Sequence, residues 1–248
     1  MRNWLGAIFL AWAILATWPA AADQRDLVVG VEDVDYLPAY GWRDNAYSGA
    51  ARDIIDAFAA ANGLRPIYRP LPIKRLFAEL ISGGIDIKFP DNPVWGLDTK
   101  RDTPIRYSQP VINFVDGVMV APEHRGAMIA TLGTVSGFTP NPWLDRIKAG
   151  DVTLKENPKL APLLRQVMLG RLDGAYLSVA VANHILDTEL QAPGGLVFDA
   201  SQPFSQDSYR LSSAHRPDLI AAFDSWLASH AAEVKAIKEA HHAEKGVE

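Results

Sequence analysis

The chain has 248 residues and no cysteine, and 24 Lys and Arg against 29 Asp and Glu leave a net charge of −5. A mildly acidic chain without a basic stripe lacks the phosphate-neutralising footprint that nucleic acid requires, so nucleic acid is excluded as a partner. Without disulfides the fold must be held by packing, and the length suffices for a substantial core in one or two domains.

Residues 1–22, MRNWLGAIFLAWAILATWPAAA, combine Arg2, an apolar run from Trp4 to Trp18, and the small residues Ala20 and Ala22. A run of about fifteen residues is short for a membrane span, which takes roughly twenty. With Ala-x-Ala before Asp23 it predicts a cleavable secretory signal peptide, an uncleaved anchor being the alternative. Cleavage removes Arg2 and no acidic residue, giving a mature charge of −6. A periplasmic location follows, and it favours capture, sensing or hydrolysis outside the inner membrane.

The mature chain opens with an apolar β-branched run, Leu27–Val31, and then Ala50 to Asn62 sets Ile54, Ile55, Phe58 and Ala59 on one helical face with Gly63 as its stop. Pro66–Pro70 reads as extended, Arg75–Ile81 as a helix ending at Gly83-Gly84, and Ile85–Phe89 as a strand. This β-α-β-α-β rhythm predicts a parallel sheet covered by helices, because parallel strands need crossover connections. A second series follows Val118–Val120. Strands are predicted at Thr131–Ser136, Val152–Lys155, Ala175–Leu177 and Leu196–Phe198, with helices at Asn141–Lys148, Leu160–Leu169 and Val179–Leu190. The tail adds a strand at Tyr209–Ser212, a helix at Pro217–Ser229 and an Ala/Lys/Glu-rich helix to about Lys245, whose His241-His242 reads as a solvated pair.

Five ordered segments carry a resemblance: VGVEDVDYLPAY from Val29; GAARDII from Gly49, with Asp53 on a helix; LISGGID from Leu80; Tyr107-Ser108-Gln109-Pro110 after Arg101; and GRLDGA from Gly170. Together they resemble the family 3 extracellular solute-binding proteins, periplasmic receptors that feed polar amino acids to ABC importers. The resemblance implies an α/β, two-lobed, periplasmic-binding-protein-like (type II) clamp with a hinge. One lobe would hold residues 23–119 plus 206–248, and the other residues 120–205. It further implies a monomer with a small-molecule ligand and an inner-membrane permease as partner, with no cofactor and no metal.

Ligand contacts are expected from both lobes. Arg101 falls where the family grips a ligand carboxylate, a task suited to the planar fork of a guanidinium, and Arg75 is a second candidate at a crevice-facing helix start. Tyr36 matches the family's aromatic pocket wall, with Asp33 three residues earlier on the same loop, while Trp42 reads as core. Lys88-Phe89-Pro90-Asp91-Asn92-Pro93 is expected as a stiff loop at the crevice, its prolines fixing Lys88, Asp91 and Asn92 for binding; a turn using Asp and Asn for local hydrogen bonds is the alternative. Ser136 and Gly137 precede a helix start whose free amides suit an anion, although capping by Thr139 or Asn141 accounts for them equally. Ser178 occupies the place where amino-acid binders of the family carry an aspartate for the α-ammonium group. A neutral hydroxyl there argues against an ordinary α-amino acid.

No nucleophile–base constellation is visible, and the six histidines form no metal-ligand spacing with acidic partners. A non-catalytic binding role is therefore expected. Two other readings stay open: a periplasmic sensor or accessory binding protein without a transporter, and a dehydratase-like enzyme in which Asp91 acts as a cleft acid.

Overall fold

The computed structural model describes residues 24–247, so the predicted signal segment lies outside the described residues. Strand β1 (Arg25–Glu32) leads into a small antiparallel meander of β2 (Asp35–Tyr36), β3 (Tyr40–Arg43) and β4 (Ala46–Ser48). Helix α1 (Ala50–Ala61), β5 (Leu64–Leu71), α2 (Ile73–Ser82) and β6 (Ile87–Asp91) continue the alternation. A one-turn helix α3 (Leu97–Lys100) and β7 (Arg106–Tyr107) precede the long strand β8 (Ile112–Val120). The second series is β9 (Thr131–Val135), α4 (Leu144–Lys148), β10 (Thr153–Asn157), α5 (Leu160–Met168), β11 (Gly174–Ser178), α6 (Val179–Thr188) and β12 (Val197–Phe198). Strand β13 (Ser205–Ser213), α7 (Pro217–Ser229) and α8 (Ala231–His241) close the chain.

The main sheet runs β10-β9-β11-β8-β13-β6-β1-β5. Its flanks are parallel, as the rhythm predicts: β1 pairs in parallel with β5 and β6, and β9 with β10 and β11. Its centre is antiparallel, which corrects the expectation of an all-parallel sheet. Strand β8 carries the chain from one flank toward the other and β13 carries it back, so the two meet head to tail without a crossover helix. Ser205–Tyr209 of β13 pairs with Ile112–Asp116 of β8, whereas Arg210 and Ser212 pair with Asp91 and Lys88 of β6.

Each flank buries its own helices. On α1, Ile54, Ile55 and Phe58 are almost fully enclosed, and the Phe58 ring meets Phe223 of α7 edge-on at 5.2 Å. Leu163 and Leu164 of α5 and Val181 and Leu186 of α6 do the same beside β11. Each such side chain contributes about 1.5–3 kcal/mol through area removed from water. Gly49 enters α1 with φ +93°, and a Cβ there would lie 2.9 Å from the Cα of Tyr40. Only glycine suits that approach, which holds the meander, and Tyr40 with it, against the helix start.

The tail ties both flanks. His241 Nε2 lies 2.7 Å from Asp53 of α1, so this histidine is paired rather than part of the solvated pair expected. Glu244 accepts from the Asn113 amide at 2.7 Å, and Lys245 reaches Asp187 of α6 at 3.7 Å. No described helix is long and apolar enough to cross a membrane.

Candidate functional site

A cleft of about 580 Å³ opens at the carboxyl ends of the parallel strands. Open α/β sheets present loops there rather than covered strand faces, which is why ligands favour the position. Glu32, the last residue of β1, lies on one side with Phe77 of α2 and the turn after β6 at Trp95 and Gly96. Gly137, Phe138 and Thr139, just past β9, lie on the other. Asp116 of β8, Tyr176 of β11 and Tyr209 of β13 line it from the centre of the sheet.

Aromatic rings pack the walls. Tyr40 and Phe138 both line the cleft, and Tyr36 sits against each with ring centroids 5.1 Å apart. Tyr209 stacks on Phe114 at 4.5 Å and meets Trp95 at 5.9 Å. Such rings give a rigid apolar frame in which a charged group is poorly shielded by water.

Two carboxyl groups stand in that frame. Glu32 is 2 % exposed and accepts a hydrogen bond from the Tyr40 hydroxyl at 2.9 Å. Burial pushes its pKa up to about 7, against the opposing pull of Lys88. Asp116 is partly open to the cleft, but its Oδ1 is buried and has no hydrogen-bond partner among the described residues. Its pKa also rises to about 7, first through burial and then through the nearby Glu32 charge. Neither residue was singled out from the sequence. Glu32 is hidden there by the adjacent Asp33, and Asp116 interrupts an apolar strand, which is the one local signal for it.

The segment expected as a stiff binding loop is largely something else. Residues Ile87–Asp91 form β6, and Lys88, Asp91 and Asn92 are all completely buried. Asp91 accepts from Lys100 Nζ at 2.7 Å and from the Ser212 hydroxyl at 2.5 Å. Lys88 Nζ donates to the Pro90 carbonyl, lies 3.7 Å from Asp91 Oδ1, and sits 4.6 Å above the Phe77 ring. Asn92 donates to Asp207 at 2.8 Å and accepts from the Val94 amide at 3.0 Å. These three residues do not line the cleft, because their polar atoms are consumed in an internal ionic cluster and the turn it anchors. The turn reading, not the binding reading, fits Asn92.

Neither arginine lines the cleft. The Arg75 side chain is 64 % exposed and reaches Glu79 at 3.8 Å; that of Arg101 is 69 % exposed and reaches only Asp98 at 3.5 Å. Asp33 and Ser136 are exposed, and neither lines the cleft; Gly137 does. Tyr36 is wholly buried behind the wall, its hydroxyl accepting from the Ser178 amide at 2.9 Å. That bond spans the chain from the β2 meander to the start of α6, so Tyr36 and Ser178 meet each other rather than the open cleft. Trp42 packs partly buried against the core, as its size predicts.

A larger groove, about 820 Å³, runs between Pro110 and α8, but its charged side chains are paired, Lys235 with Glu239, Lys238 with Glu244 and Lys245 with Asp187 beyond it. No group of three or more His, Cys, Asp or Glu among the described residues is arranged to hold a metal ion.

No family model matches the sequence, and no curated protein matches it. Solved structures do match in shape. A histidine kinase sensor domain with similarity to periplasmic binding proteins superposes with a TM-score of 0.70 at 21% identity, covering 88% of this chain and 97% of that one. An ABC uptake transporter substrate binding protein from Streptococcus pneumoniae with bound histidine gives 0.68 at 18%, covering 87% and 92%. The ancestral amino acid-binding protein AncCDT-1, a precursor of cyclohexadienyl dehydratase, gives 0.68 at 18%, covering 87% and 95%. The chain therefore has the two-lobed, periplasmic-binding-protein-like α/β clamp fold.

Proposed function

We propose that this protein is a periplasmic solute-binding protein that captures a small polar ligand between two lobes and hands it to an inner-membrane ABC permease. The observation that carries this reading is the cleft itself: about 580 Å³ at the strand ends, walled by aromatic rings and holding two poorly solvated carboxyl groups. A few convergent polar groups in a concave, largely apolar site are what a small ligand needs for orientation. One lobe comprises residues 23–119 and 206–248, the other 120–205, and the signal at 1–22 is removed on export. The protein acts as a monomer without turnover. The similarity to a substrate binding protein of an uptake transporter supports this reading.

A sensor that reports the same ligand through a partner shares this pocket, and the similarity to a kinase sensor domain favours it as the second reading. Native mass spectrometry of protein purified without refolding tests binding: a retained small molecule that dissociates on unfolding is expected. Thermal-shift screening follows, since a ligand bound only by the folded state raises Tm with the logarithm of its concentration. Consumption of a hit during incubation would replace the binding role with an enzymatic one. A permease and ATPase encoded alongside would favour import, and a histidine kinase would favour sensing.

A further inference from the structure

Charge around the cleft does not balance. Among the enclosed groups of its wall and of the cluster behind it, Glu32, Asp91 and Asp116 carry three carboxyl groups, and Lys88 and Lys100 supply two ammonium groups, while the exposed Asp98 and Lys74 at the rim offset each other. Asp91 lies within 4 Å of both lysines and offsets one of their two charges; the remainder acts from Lys88 on Glu32, and neither lysine reaches Asp116. Asp116 lines a cavity framed by rings and is left with a buried Oδ1 that has no hydrogen-bond partner among the described residues, and Glu32 has only the Tyr40 hydroxyl as a direct side-chain partner. An unpaired buried carboxylate is among the costliest groups a protein holds, and a positive charge delivered from outside removes that cost.

We infer, resting on the binding role proposed above, that the ligand is a small organic cation, an amine or guanidinium compound with an apolar body and no carboxylate, held by Asp116 and Glu32 within the aromatic frame. The apolar part lies against Phe138 and Trp95, and the cationic head sits between the two carboxyl groups, where the faces of Tyr40 and Tyr209 add attraction to a desolvated cation. Among the described residues no arginine lines the cleft to receive a carboxylate, and Lys74, exposed at its rim, is the one basic side chain there. Excess negative charge inside the site thus selects against amino acids as well as anions.

Binding is coupled to protons. The groups facing the pair are Tyr36, Tyr40, Tyr47, Tyr209, Lys88 and Asp91 around Glu32, and Tyr36, Tyr176 and Tyr209 around Asp116. Burial holds these tyrosines neutral, so the two carboxyl groups are the ones that change charge near neutrality. A cation therefore displaces protons on binding, and affinity rises from pH 6 to 8.

The test is a thermal-shift and calorimetric panel on the wild type, Asp116→Asn and Glu32→Gln, each first checked for fold by circular dichroism. Probes are benzylamine, butylguanidine and choline as cations, arginine and glutamate as amino acids, and glucose and benzoate as neutral and anionic solutes. At least one carboxylate-free cation should stabilise the wild type, release protons when titrated in buffers of different ionisation enthalpy, and bind about ten- to a hundredfold more weakly to Asp116→Asn. If glucose, benzoate or an amino acid stabilises the protein and the cations do not, the cation assignment falls while the binding role stands. If no solute of any class shifts Tm, both fall.

Discussion

Asp91 and Asp116 are two carboxylates buried in the same sheet, a few strands apart, and they have opposite surroundings. Asp91, at the end of β6, has Lys100, Lys88 and Ser212 about it, all themselves enclosed. Asp116, in β8, has an oxygen that nothing in the described chain satisfies. The first is an ion pair network that specifies how β6, β13 and the α3 turn fit together. The second is a charge the fold tolerates without using. The difference separates an acid that builds the scaffold from one that lines an open cleft, and residue type alone does not reveal which is which.

The comparison breaks most visibly at Asp91. Asp91→Ala leaves Lys88 and Lys100 buried without their counter-charge, and we expect a loss of about 3–5 kcal/mol in denaturant unfolding. Retention of full stability would mean that this cluster is not the structural partner of the pair compared here.

Asp116→Asn should act with the opposite sign in the ligand-free protein. Its carboxyl group has a folded pKa of about 7 against an ordinary 3.8, so the folded state binds protons more tightly than the unfolded chain does. The contribution of this group is fully present below pH 3.8 and is lost as pH rises through about 7, at up to about 1.4 kcal/mol per pH unit. Unfolding free energy measured from pH 4 to 8 should therefore fall less steeply in Asp116→Asn than in the wild type. At pH 8 the variant should be the more stable by about 1–2 kcal/mol, since a neutral amide costs less to bury than an unpaired carboxylate. Parallel curves would show that Asp116 is satisfied after all.

A smaller effect sharpens the contrast between wall and scaffold. Tyr36→Phe removes the acceptor for the Ser178 amide and leaves that buried N–H unpaired, for an expected loss of about 1 kcal/mol in stability. The smallest effect belongs to Arg101→Ala. With a side chain 69 % exposed and paired only with Asp98, its removal should change ligand Kd less than twofold by calorimetry.

Much of the fold was legible because periodicity survives without tertiary knowledge. Pro217–Ser229 appears at the predicted bounds, and the apolar face of Ala50–Asn62 is the buried face of α1. The central pairing was not: Tyr209–Ser212 reads as a strand within β13, but Asp116 and Gly117 break the apolar run of β8, and the two strands lie about ninety residues apart. The candidate site was less legible for a related reason. Lys88 and Asp91 looked functional because charge is uncommon beside apolar strands, but they pair with each other, and the further partners of Asp91 are Lys100, past a turn, and the Ser212 hydroxyl, from a strand more than a hundred residues on. Arg101 and Arg75 matched a pattern in sequence, yet the backbone leads both side chains into solvent. Gly137 follows β9 with φ +91° and lines the cleft, a position readable in sequence because a glycine turn after a strand is local chemistry.

The two long strands at the centre of the sheet, β8 and β13, carry a mechanical consequence. They lie side by side and hydrogen-bonded over Ile112–Asp116, and each joins one parallel flank to the other. A ribbon two strands wide bends across its face without breaking a backbone hydrogen bond, but it resists sliding, because sliding destroys the register. Motion between the flanks is thus confined to one soft direction, like a leaf spring. Asp116 is the last residue of the β8 segment in that register, opposite Ser205. On its other side the same residue lies opposite Ser178 of β11, so the Tyr36–Ser178 hydrogen bond fastens the β2 meander to that same central point. Where the ribbon would flex, one further tie thus crosses it, a single hydrogen bond between the meander and the start of α6, and a tie of that size stiffens the spring without locking it.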